Sequence, residues 1–192
     1  MRLGKRFEQA LKFAVQLHRD QLRKGTRTPY VSHLLGVTAL VLEDGGSEDE
    51  AIAALLHDAV EDQGGLKTFT EIQKQFGDYV AQIVDGCTDT YLNPKPPWRQ
   101  RKERYLEHLQ HAPKEVLRVS LADKLHNART ILVALRQNGK AVWKRFNGGK
   151  EGTLWYYHSL VEVFLARSSS PMVGELVRVV AQIEALEEKE NR

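Results

Sequence analysis

A short apolar run in this sequence ends in one histidine and three acids. Residues 53–62 read Ala-Ala-Leu-Leu-His-Asp-Ala-Val-Glu-Asp and include His57, Asp58, Glu61 and Asp62. On a continuous helix, His57 and Glu61 would lie one above the other, with Asp58 and Asp62 beside them. Three crowded carboxylates repel one another unless a cation or protons neutralise them. The pattern predicts a divalent metal and proton transfer rather than an exposed helix end, where the dipole disfavours acids.

Further metal ligands must come from other helices. His33 lies in the first turn of one predicted helix, and Asp123 lies among leucines in a long one. A carboxylate in such apolar surroundings is buried and needs a partner. With the His57-Asp58 pair, they give two imidazoles and two carboxylates. This nitrogen and oxygen set suits Mn²⁺ or Fe²⁺ with open positions for water, and Zn²⁺ less well.

The remaining histidines carry weaker signals. His126 follows Asp123 by three residues and is interpreted as an orienting residue of the core rather than a ligand. The other four histidines are expected to be surface or packing residues: His18, His108, His111 and His158.

A surface for an anionic ligand is also predicted. Asn127 and Thr130 share the helix face of Asp123, four and seven residues further on. Two basic clusters could attract a polyanion: Arg19, Arg23, Lys24 and Arg27, and Arg99, Arg101, Lys102 and Arg104. A solvated helix face explains the second cluster equally well.

An aromatic triplet, Trp155-Tyr156-Tyr157, could offer a ring on which a base stacks. Its helical spacing with Leu160 and Phe164 favours core packing for at least two of the three rings.

Hydrophobic periodicity predicts helices throughout and no strands, so the expected fold is an all-α bundle. Ser47 and Glu50 form a capping box for a helix that carries residues 53–62. The chain has 192 residues, which predicts a single domain over 1–192. A net charge of +3 is too small for a dedicated nucleic-acid binder, and no apolar run could span a membrane. The lone Cys87 fits a reducing compartment, so a cytoplasmic location is expected.

In four ordered blocks, residues 18–24, 29–33, 53–62 and 121–130, the chain resembles the HD-domain metal-dependent phosphohydrolases. Within that superfamily it is most similar to the hydrolase domain of the RelA/SpoT alarmone enzymes and to the small alarmone hydrolases. It departs from their pattern at Leu34, at the Gln63-Gly64-Gly65 turn, and from Lys140 onward.

The resemblance implies a compact multi-helix HD-domain bundle that hydrolyses (p)ppGpp at its 3′ position and releases pyrophosphate. It implies that His33, His57, Asp58 and Asp123 bind one Mn²⁺, and that Glu61 and Asp62 are the acid/base pair. It further implies that Arg23 and Lys24 flank the purine or its phosphates, and that Asn127 and Thr130 contact the nucleoside. The second basic cluster and the aromatic triplet add Lys102 and Tyr156 as candidate substrate contacts.

Two rival functions stay open at this point. The substrate could be another nucleotide, such as ppApp, NADPH losing its 2′-phosphate, or a nucleoside phosphate. Alternatively, the chain could be a catalytically silent nucleotide or RNA binder. The intact Glu61-Asp62 pair argues against a silent binder. The expected partner is therefore a small nucleotide, without a stable nucleic-acid partner; an oligomer is compatible with the sequence.

Overall fold

The computed structural model describes residues 2–92 and 94–189, whose regular structure is helical. The α-helices are α1 Lys5–Leu17, α2 Val31–Glu43, α3 Glu48–Leu56, α4 Ala59–Asp62, α5 Leu66–Phe76, α6 Asp78–Cys87, α7 Trp98–Leu109, α8 Lys114–Asn138, α9 Gly149–Arg167 and α10 Pro171–Lys189. A 3-10 helix, Gly139–Arg145, follows α8. Within these described residues there is no strand, only an isolated bridge between Leu22 and Pro29. The predicted all-α class is confirmed.

Helix α8 lies at the centre of the bundle. Helices α2, α3, α6 and α10 pack against it, and Leu121, Leu125 and Ala128 on its inner face are fully buried. Each buried leucine contributes about 1.5–3 kcal/mol, so this face fixes the rotation of α8 about its axis. The same rotation holds the buried Asp123 at a fixed position beside α2 and α3.

The predicted capping box at the start of α3 is confirmed. The Ser47 hydroxyl accepts a hydrogen bond from the backbone N–H of Glu50 at 3.2 Å, and the Glu50 carboxylate accepts one from the N–H of Ser47 at 2.7 Å. Because this pair fixes where α3 begins, it also sets the position of the His57-Asp58 turn at its end.

The continuous helix expected over residues 53–62 is wrong. Helix α3 ends at Leu56, and α4 begins at Ala59. On an unbroken helix the side chains of His57 and Asp58 would point about 100° apart. His57 and Asp58 form the turn between α3 and α4, and their side chains meet at the ends, with His57 Nε2 2.9 Å from Asp58 Oδ2.

Two other helices begin earlier than their sequence patterns predicted. The helix expected from Thr70 begins at Leu66, directly after Gly65, whose φ of 60° reverses the chain. The helix expected from Thr153 begins at Gly149. Throughout the part of the chain that the structure covers, no helix combines the length and apolarity that crossing a membrane requires.

Candidate functional site

Four side chains converge on one point from α2, from the turn between α3 and α4, and from α8. His33 Nε2 lies 3.1 Å from Asp123 Oδ1 and 3.5 Å from Asp58 Oδ2. His57 Nε2 lies 2.9 Å from Asp58 Oδ2 and 3.6 Å from Asp123 Oδ1. Ligand atoms of His33, His57 and Asp58 lie within 4.8 Å of one another. The structure thus brings together all four residues that were predicted to bind metal.

A hydrogen bond on the far side of the His57 ring shows which nitrogen faces this cluster. His57 Nδ1 lies 2.8 Å from the carbonyl oxygen of Ala54, which can only accept, so Nδ1 carries the proton. In a neutral ring, Nε2 then directs a lone pair at the carboxylates. Neither this atom nor His33 Nε2 has a hydrogen-bond partner among the described residues. Buried ring nitrogens that face carboxylates need a proton or a cation between them, so these residues fit a divalent metal ion.

The electrostatics of the cluster favour a bound positive charge. Burial alone lowers the pKa of His57, but Asp58 and Asp123 outweigh burial and raise it well above its usual value. Burial raises the pKa of Asp123, but Lys124 and both imidazoles outweigh burial and hold it well below its usual value. Asp123 also accepts hydrogen bonds from Lys124 at 2.5 Å and Asn127 at 2.6 Å. Its carboxylate is therefore held as an anion that can bind a cation.

Hydrogen bonds from residues around the four candidate ligands hold the cluster in place. The Tyr30 hydroxyl donates to Asp58 Oδ2 at 2.5 Å, and His126 Nδ1 lies 2.9 Å from His33 Nδ1. A Cβ atom at Gly36 would lie 2.4 Å from the His126 ring, so only glycine leaves room for this contact. Such outer contacts orient imidazole ligands and select their tautomer. The orienting role of His126 stays a prediction, and its position supports it.

The two predicted acid/base residues lie on α4 in different surroundings. Glu61 Oε1 accepts from Lys95 Nζ at 2.7 Å, and Asp62 Oδ2 accepts from Gln21 Nε2 at 2.8 Å. Burial raises the pKa of Asp62, and the nearby carboxylates of Asp58 and Glu61 raise it further. Glu61 is therefore paired with a lysine, while Asp62 keeps its proton to a higher pH than an ordinary aspartate does.

A cavity of about 470 Å³ opens beside these acids. Glu61 and Asp62 line it, and so do all six residues that were predicted to contact substrate: Arg23, Lys24, Asn127, Thr130, Lys102 and Tyr156. Tyr156 is largely buried, but its hydroxyl has no hydrogen-bond partner among the described residues. That hydroxyl is buried in the cavity wall with its hydrogen-bonding capacity unused.

The two predicted basic clusters divide between the cavity and the rest of the surface. Arg101 and Lys102 line the cavity, whereas Arg99 lies 3.2 Å above the centroid of a Trp155 ring. In the first cluster, Arg19 and Arg27 do not line this cavity. Each cluster thus combines cations that could meet a ligand with cations on solvated helix or loop surface.

Asp89 and Gln21 are site residues to which sequence reasoning gave no role. Asp89 follows α6 and pairs with Arg101 and with Lys102, the latter at 2.9 Å. Gln21 binds Asp62, as described above. Gln21 belongs to a block of family resemblance, which was a signal for it, but no periodicity or motif distinguished Asp89.

Comparison with known proteins identifies the family of the chain. A family model described as HD domain matches residues 10–154. The guanosine-3′,5′-bis(diphosphate) 3′-pyrophosphohydrolase MESH1 of Xenopus tropicalis is 42% identical over 126 residues, which are 64% of this chain and 68% of that protein. Human MESH1 is 37% identical over the same length, with 64% and 68% coverage.

Solved structures show the same fold. A metazoan ortholog of SpoT that hydrolyzes ppGpp superposes with a TM-score of 0.78 at 26% identity, covering 95% of this chain and 97% of that one. The lmo0812 protein of Listeria monocytogenes gives a TM-score of 0.70 at 31% identity, covering 79% and 97%. Sequence and fold agree, and the chain belongs to the HD domain family of hydrolases.

Proposed function

We propose that this chain is a metal-dependent hydrolase that removes pyrophosphate from the 3′ position of guanosine tetra- and pentaphosphate. The observation that carries the proposal is the pair of unpartnered imidazole nitrogens of His33 and His57, facing Asp58 and Asp123. Glu61 and Asp62 lie beside this cluster in a cavity lined by cations. The names of the relatives, which are 3′-pyrophosphohydrolases of this nucleotide, support the same substrate.

The metal in this proposal is one Mn²⁺ per chain, held by His33, His57, Asp58 and Asp123. Two nitrogen and two oxygen donors favour a metal of intermediate hardness, so Fe²⁺ or Zn²⁺ is a weaker candidate. When bound, the cation supplies Lewis-acid chemistry, which lowers the pKa of water and withdraws charge from phosphoryl oxygens.

Glu61 and Asp62 divide the proton transfers between them. Glu61, next to Lys95, takes a proton from the water that attacks the phosphorus bonded to O3′. As the bond between phosphorus and O3′ breaks, Asp62 donates a proton to O3′, which its raised pKa favours. The products are pyrophosphate and a nucleotide with a free 3′-hydroxyl.

The cavity walls bind the rest of the nucleotide. Arg23 and Lys24 flank the purine or its phosphates, and Lys102 offers a further cation near the reacting group. On the wall formed by α8 and α9, Asn127, Thr130 and Tyr156 supply polar groups for the nucleoside. Nucleotide affinity therefore depends on both charge and hydrogen bonding.

The test compares nucleotides with and without metal. Pyrophosphate and orthophosphate release is measured from ppGpp, ppApp, NADPH, dGTP and ATP, with Mn²⁺ and with chelator. Pyrophosphate from ppGpp, abolished by the chelator, is the expected result. Release of orthophosphate from another nucleotide would show that the substrate is that nucleotide and not ppGpp. Absence of any turnover would favour a catalytically silent binder.

We also propose that residues 1–192 act as one domain in a small-nucleotide hydrolase without a stable nucleic-acid partner. The HD domain match ends at residue 154, but α9 packs on α7 and α10 packs on α8. Helices α9 and α10, which extend the chain past the matched segment, therefore cover helices that form the site.

A further inference from the structure

The substrate cavity extends well beyond the metal ligands. A smaller cavity of about 200 Å³ contains Asp58 and Asp123 and shares Glu61, Asp62 and Lys102 with the larger one. Several residues line the larger cavity but not the smaller one that contains the metal ligands. We define the outer end of the cavity by five of these: Lys24, Thr26, Arg145, Phe146 and Asn147.

The outer end holds two cations and no carboxylate. Lys24 Nζ donates to the neutral Asn147 side chain at 3.1 Å. Arg145 forms no hydrogen bond or ion pair within the described residues. Its side chain lies against the loop that carries Lys24, because a Cβ at Gly25 would lie 2.9 Å from Arg145 Cδ and 3.1 Å from its Nε. Neighbouring cations without a counter-charge repel each other, and an anion between them would relieve this repulsion.

We propose that Arg145, together with Lys24, forms a subsite for the 5′-phosphate groups of the nucleotide. This inference rests on the proposed function: with the 3′-pyrophosphate at the metal ligands, the remainder of the nucleotide must extend toward the outer end. A guanidinium donates paired N–H groups that match phosphate oxygens. Arg145 thus selects nucleotides that carry phosphate at both the 3′ and 5′ positions.

The experiment uses the full chain loaded with Mn²⁺ and measures binding of GDP and of guanosine by calorimetry. Arg145→Gln should weaken GDP binding about tenfold, the loss expected for one charge-assisted hydrogen-bonded contact, and change guanosine binding less than about twofold. KM for ppGpp should rise by a similar factor with kcat unchanged, because the contact is made equally before and during the reaction.

Two matched variants separate charge from folding. Lys144→Gln removes the adjacent exposed cation, which does not line the cavity, and should leave GDP binding unchanged. Arg145→Lys keeps the charge and should recover part of the lost affinity.

An equal loss of GDP and guanosine binding, or unchanged GDP binding, would overturn the subsite. If ppGpp releases no pyrophosphate while GDP still binds through Arg145, the proposed reaction fails and the phosphate subsite stands.

Discussion

Replacing Gln21 with methionine should raise the pKa of Asp62 and shift the pH dependence of turnover. Gln21 Nε2 donates to Asp62 Oδ2 at 2.8 Å, and this bond opposes the rise in pKa caused by burial and by Asp58 and Glu61. A hydrogen bond to a charged group contributes about 1.5–3 kcal/mol. The Asp62 side chain is 28% exposed, which places the effect at the lower end. At about 1.4 kcal/mol per unit, the pKa should rise by about one unit.

The assay is kcat for ppGpp measured from about pH 5 to about pH 10. Because protonated Asp62 donates to O3′ in the proposed reaction, kcat falls as pH rises through the pKa of Asp62. In Gln21→Met, this fall should occur about one pH unit higher.

Gln63→Met is the matched control. Gln63 donates to Gln21 Oε1 at 2.6 Å, and its removal leaves the bond between Gln21 and Asp62 in place. A loss of kcat in Gln21→Met without a shift in midpoint would refute the reasoning, as would an equal shift in Gln63→Met.

Two further variants test the surroundings of the site. Gly36→Ala places a Cβ 2.4 Å from the His126 ring. This clash should reduce the free energy of unfolding, measured with denaturant, by about 1–3 kcal/mol. Because His126 is predicted to orient His33, Mn²⁺ affinity measured by metal titration should fall by about 10- to 100-fold. The same change in a His126→Ala background should cost much less stability, and an equal cost would contradict the clash. Tyr156→Phe removes a buried hydroxyl without a partner, so stability should change by less than about 0.5 kcal/mol while KM for ppGpp rises about three- to tenfold. Unchanged KM would show that the hydroxyl does not contact the nucleotide.

Residue types and spacing predicted much of the metal cluster. His33, the His57-Asp58 pair and Asp123 occur in separate apolar helices, where an unneutralised charge is costly. Hydrophobic periodicity reports which helix face is buried, and burying those faces brought the four residues together. The turn at His57-Asp58 escaped prediction because it contains no glycine or proline and its backbone angles stay near helical values.

The contacts around the cluster could not be predicted in this way. Gln21 meets Asp62 across 41 residues, and His33 meets His126 across 93. Such pairs depend on how helices pack, and periodicity within one helix contains no information about them. Arg145 was missed for a related reason: the 3-10 helix that carries it lies in the segment where the family resemblance is weak.

The central claim is that Glu61 and Asp62 perform proton transfer next to a metal that other residues hold. The most direct measurement compares wild type with the Glu61→Gln, Asp62→Asn double variant, recording bound Mn²⁺ and pyrophosphate release from ppGpp in the same samples. Both proteins should bind one Mn²⁺ per chain, and turnover of the variant should fall by about 10³-fold or more. Unchanged turnover in the Mn²⁺-loaded variant would contradict the claim.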